Sequence, residues 1–149
     1  MKKGVWIDFT SEQVRVSFGT HCVPSALTRW FGNSLHSAGV QGPGLGGLRH
    51  TTKESLNTGW RNASFRGYAD YMQTPEFEKA LKELIQLANQ DRLALMCAEA
   101  LPWRCHRSLI GDALLVRGIQ AEDIMSVTQL HVHALTPFAK VTGTHIIYE

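Results

Sequence analysis

The side chains able to do chemistry gather in one stretch, RLALMCAEALPWRCHRSLIGDALLVRG, from Arg92 to Gly118. An apolar run, Leu93-Ala94-Leu95-Met96, ends at Cys97. A loop holding Glu99 and Pro102 follows, and Arg104-Cys105-His106-Arg107 leads into an apolar helical pattern that stops at Gly118. A thiol at a helix N-terminus beside cationic groups has more of its population as the nucleophilic thiolate. Cys97 and Cys105 are therefore the candidate catalytic nucleophiles, with His106 beside the second. Glu99 is a candidate general base, or a contact to a ribose or base edge. Arg104 and Arg107 fall where helix N–H groups already favour an anion, and are assigned to anion contacts. The competing explanation is core packing, because free cysteine is among the most buried residue types.

A second concentration lies between residues 43 and 68. Pro43-Gly44-Leu45-Gly46-Gly47 allows close backbone approach, with Gly46 and Gly47 the candidate ligand contacts. It is neither a G-x-G-x-x-G fingerprint nor a P-loop. Trp60, Arg61, Arg66 and Tyr68 then interleave aromatic and basic groups, a pattern that can stack on and neutralise a nucleotide-like ligand. The alternative is a long surface loop pinned by its own aromatic side chains. The Cys–loop–Arg spacing of phosphate-handling cysteine enzymes is missed by one residue, with Trp103 where the arginine would stand. Cys97, Cys105, His106, His131 and His133 are ligand types zinc accepts, but no close Cys-x-x-Cys pair exists, so no metal and no cofactor is expected.

Elements must hold these residues together. The run ending at Cys97 has strand length, and the pattern from Arg107 to Arg117 has helical length with a glycine stop. Strand, loop, helix is half of a parallel α/β unit, in which ligands sit at the carboxyl ends of strands. The clearest helix is 74–90: Thr74 caps it, Pro75 suits its first position, and Phe77, Ala80, Leu81, Leu84, Ile85 and Ala88 form one stripe. Residues 5–9, 14–18 and 123–127 read as strands, and 130–133 and 144–148 as short alternating ones. Residues 43–67 read as loop, and 19–41 show no clear period beyond a hint of helix at Leu27, Trp30, Phe31 and Leu35. The fold class expected is α/β: one domain over 1–149, a mainly parallel sheet flanked by helices in a Rossmann-like three-layer arrangement, with a short antiparallel C-terminal addition.

The 149 residues are enough to bury a core without staples. A hydrophobic fraction of 44% and a charged fraction of 19% are those of an ordinary globular chain. The formal charge of +2 implies no nucleic acid by itself, although Arg49, Lys53, Arg61 and Arg66 cluster. Three cysteines, an odd number, argue against a disulfide framework. No apolar run reaches the length of a membrane span and Met-Lys-Lys-Gly-Val-Trp has no signal-peptide core, so a cytoplasmic location and no membrane partner are expected.

From Pro43 onward the chain resembles the bacterial family called domain of unknown function 488. PGLGGLR (43–49), NTGWRN (57–62), FRGYADYM (65–72), CAEALPWRCHRSLI (97–110) and LTPFAK (135–140) carry the likeness. The resemblance implies a small α/β domain with a parallel sheet and a site at these blocks, and no particular reaction. Residues 1–42 are atypical: the family's Gly-His-Ser/Thr turn and Asp-Val-Arg are absent, with Asp8 at a comparable distance from the glycine loop. The function expected is binding of an anionic ligand, nucleotide-like or nucleic acid, at the C-terminal end of the 93–97 strand. An enzyme using Cys97 or Cys105 as thiolate, and a non-catalytic interaction protein, are the alternatives. An accessible, activated thiol separates the enzyme from the other two.

Overall fold

The computed structural model describes residues 3–10, 13–18, 43–89, 95–97, 104–124 and 130–149. Glu99, the 19–41 segment and the far end of the expected 123–127 strand lie outside them.

Three helices carry the core. Helix α1 (Ala63–Tyr71) begins where Asn62 Oδ1 accepts from the backbone N–H groups of Ser64 and Phe65, at 2.8 and 3.4 Å. Helix α2 (Pro75–Ala88) has the expected start: Thr74 Oγ1 accepts from Phe77 N at 3.3 Å, proline opens it, and Glu76 and Glu78 face the positive end of its dipole. Its Phe77, Leu81, Leu84 and Ala88 are buried, and each of the larger three contributes about 1.5–3 kcal/mol by leaving water. Helix α3 (Arg107–Leu115) is buried on almost every side. It ends as glycine allows: Gly118, at φ 75°, lets Ile119 N–H turn back to Leu114 O at 3.0 Å.

The expectation of a mainly parallel, Rossmann-like three-layer sheet is wrong. The strands are β1 (Lys3–Thr10), β2 (Gln13–Phe18), β3 (Met96–Cys97), β4 (Gln120–Ile124) and β5 (Leu130–Val132), in the order β3-β1-β2-β4-β5. Only β2–β4 is parallel, through Arg15↔Gln120 and Val16↔Ala121; β1–β2, β1–β3 and β4–β5 are antiparallel. The reason is where the N-terminal strands insert. The strand before α3 and the strand after it point the same way, but β1 and β2 lie between them and break up the parallel pairing.

The last two strands, β6 (Ala139–Thr142) and β7 (His145–Tyr148), pair antiparallel with each other, around Gly143 at φ 62°. Strand β6 is mostly exposed, whereas β7 buries Ile146 and Tyr148 on one face. Those two side chains join Tyr68, Phe77, Leu81, Leu84, Leu109, Ile110, Ala113 and Leu114 in the core. No helix among the described residues is long and apolar enough to cross a membrane.

Candidate functional site

The glycine loop after the short 3-10 turn at Pro43–Leu45 folds onto the helices. Tyr71 OH donates to Gly44 O at 2.7 Å, and Tyr68 OH to Leu45 O at 3.3 Å. A Cβ on Gly47 would stand 2.2 Å from His106 Nδ1, so glycine is required for this approach. A Cβ on Gly67 would stand 2.6 Å from Arg49 O, which lets the loop backbone cross α1. Three blocks distant in sequence thus meet at the start of α3.

Cys105 and His106 stand at that start. Cys105 is 3% exposed and not in a disulfide. Arg107 Nε donates to its Sγ at 3.0 Å, and His106 Nδ1 lies 3.5 Å from the same sulfur. Donors thus face the sulfur from its own helix start, while burial limits access to it. Arg107 is itself only 1% exposed, and Arg104 is exposed. The guanidinium of Arg49 lies 4.1 Å over the Tyr71 ring, with Nη1 donating to Leu48 O. That cation is half-buried, two residues after the glycine that meets His106.

Other candidates have different surroundings. Tyr68 is fully buried against His106, Tyr71 and Phe77. Burial holds its phenol well above the ordinary range, Tyr71 adding to the effect and Arg49 opposing it. Trp60 stacks on Phe65 at 4.6 Å and meets Phe138 and Tyr148 at 4.9 and 5.5 Å. Arg66 donates twice to Trp60 O, at 3.0 and 2.8 Å. Trp60 and Arg66 therefore belong to an aromatic knot that closes the loop on itself. Gly46 and Arg61 are exposed. Cys97 is described only as the end of β3, where it pairs with Lys3.

Two acidic residues that the motif reading passed over organise the region. Asp70 accepts from Thr51 Oγ1 and Thr52 N at 2.9 Å, Ser55 Oγ at 2.5 Å and Asn57 Nδ2 at 2.8 Å. Burial alone would raise its pKa; these donors more than offset that and hold the carboxyl below the usual range. The tell-tale was four polar residues, Thr51, Thr52, Ser55 and Asn57, in a loop preceding a helix with one acid. Asp112, fully buried in α3, is the second. His133, grouped with His131 among the ligand types zinc accepts, is 7% exposed, whereas His131 is exposed.

A cavity of about 350 Å³ lies elsewhere, among the start of α2, the end of α3 and β7. Its charged and amide groups are engaged: Arg117 with Glu78 and Ala113 O, Gln73 with Ile146 O. Among the described residues, no three His, Cys, Asp or Glu side chains come together so as to hold a metal ion.

Residues 33–114 match the family model described as domain of unknown function DUF488. That is more than half of the chain, which belongs to this family. The match begins ahead of Pro43 and ends short of the LTPFAK block. No curated protein matches the chain, and no solved structure does.

Proposed function

We propose that the protein binds a phosphate-bearing ligand of nucleotide type at the start of α3, beyond the end of β3. The contact between Gly47 and His106 carries this reading, because it sets the loop bearing Arg49 beside the helix end bearing Arg104. Helix N-termini favour anions through their N–H groups and dipole, and two arginines add charge without further chemistry. Calorimetric titration with inorganic phosphate, AMP and a short single-stranded oligonucleotide tests it. Saturable AMP binding, weakened about tenfold or more by Arg49→Ala, is expected, the usual loss for one charge-assisted contact. No binding of any of the three, or binding indifferent to Arg49→Ala, would overturn it. Preference for the oligonucleotide would change the ligand to a nucleic-acid backbone.

The donation from Arg107 Nε to Cys105 Sγ favours a second reading, a thiolate enzyme. Rapid alkylation of Cys105 well below the free-thiol pKa of about 8.5 supports it; a sulfur inert until the chain is denatured removes it.

A further inference from the structure

Tyr148 joins two regions that are far apart in sequence. Its backbone N–H donates to Asn57 Oδ1 at 3.1 Å, and its carbonyl accepts from Gly59 N at 2.9 Å. Asn57 in turn donates to Asp70, the carboxylate that gathers the loop. The loop therefore has one anchor on α1 and another on β7. The Tyr148 hydroxyl runs the other way, donating to Asp112 Oδ2 at 2.9 Å.

Asp112 is 0% exposed, and its Oδ1 also accepts from Thr136 N at 3.1 Å. The same oxygen lies 3.1 Å from His133 Nε2, while His133 Nδ1 lies 3.4 Å from Asp123 Oδ2. A neutral imidazole has one N–H and leaves the other carboxylate facing a lone pair; only the imidazolium donates to both. The ring cannot retreat into α3, since even a Cβ on Gly111 would come within 2.7 Å of it. The ring meets Asp112 from α3 and Asp123 from β4 and, through Asp112, Tyr148 from β7. Glu122 of β4 is also buried, and its backbone stands opposite that of Val132, the residue before His133, in the sheet.

We propose that Asp112, His133 and Asp123 form an ionic lock that fixes β7 and, through Tyr148 and Asn57, holds the 44–60 loop against the start of α3. The His133 proton is its key: when it leaves, one carboxylate loses the imidazole's donation, Asp112 is held less firmly beneath the Tyr148 hydroxyl, β7 loosens, and the loop loses its second anchor. The consequence for ligand affinity rests on the phosphate reading above; the coupling between strand and loop does not.

Hydrogen–deuterium exchange at neutral pH on the full chain tests it, comparing wild type with His133→Gln and Tyr148→Phe. Exchange is expected to quicken about tenfold in peptides covering both 44–60 and 137–149, the change expected from one lost hydrogen bond to a charged group, with α2 unaffected. If His133→Gln also frees α2 and so unfolds the chain, Tyr148→Phe, which removes one hydroxyl, decides. Faster exchange in 137–149 with an unchanged 44–60 overturns the coupling, as does no change in either. AMP affinity measured on the same variants separates the two readings. A freed loop without AMP binding in any form upholds the lock and sinks the phosphate reading. Altered AMP affinity with an unchanged loop does the reverse.

Discussion

Asp70 shows how a half-exposed residue can hold a loop. Its oxygens take hydroxyl, amide and backbone donors from four residues of the 51–57 segment. Asp70→Ala is expected to cost about 1–2 kcal/mol in urea unfolding, the sum of several partly solvated bonds, and to free this segment first. Because its folded pKa is lowered, its contribution is present above the ordinary 3.8 and is lost as pH falls through the folded value. His133 runs the other way. Burial would lower its pKa, but the bonds to Asp112 and Asp123 outweigh that and raise it from 6.5 to about 9. Its contribution is fully present below 6.5 and disappears as pH rises through about 9. The shift corresponds to roughly 3 kcal/mol. Urea midpoints between these limits should fall with pH in the wild type and stay flatter in His133→Gln; parallel slopes would contradict the assignment.

At the scale of elements, legibility followed locality. Helix α2 was readable because cap, proline and stripe sit within its own residues, and α3 because Gly118 marks its end. Strands β1 and β2 were readable from short apolar and alternating runs. Helix α1 is not: its stretch reads as loop because Gly67 and few apolar residues weaken its pattern, and tertiary contact supplies the rest. Gly67→Ala isolates that competition. Helix propensity alone would favour alanine by about 1 kcal/mol. The added methyl would meet loop backbone at 2.6 Å, a clash worth about 1–3 kcal/mol, so the variant is expected to melt lower. A higher melting temperature would mean that the loop moves aside freely. Sheet topology was the larger miss, because periodicity identifies a strand without naming its neighbour. The strands at 130–132 and 145–148 pair with β4 and β6, not with each other. Of the candidate site, Gly47, Cys105 and His106, which meet at the start of α3, are legible as motifs. Asp112 and His133 are not, since their burial comes from elements distant in the chain.

For the whole molecule, the hairpin of β6 and β7 is a closing piece. It supplies Ile146 and Tyr148 to a core made otherwise by the helices, with Ala121 of β4 and Ile119 just before it. Ile146→Ala is expected to destabilise the protein by about 2–5 kcal/mol, and Val141→Ala, on an exposed strand, by less than about 0.5 kcal/mol. Equal losses in thermal melts would show that the hairpin does not belong to the core.

The bond between Asn57 and Tyr148 spans 91 positions. During synthesis at roughly 5–20 residues per second, the Asn57 amide waits about 5–18 s for its partner to be made. Leu48 and Leu56, 82% and 66% exposed even in the folded chain, precede that amide in a segment still lacking its second anchor. Until β7 is made the loop has only its anchor on α1, so it docks fully only once the last strand has been added.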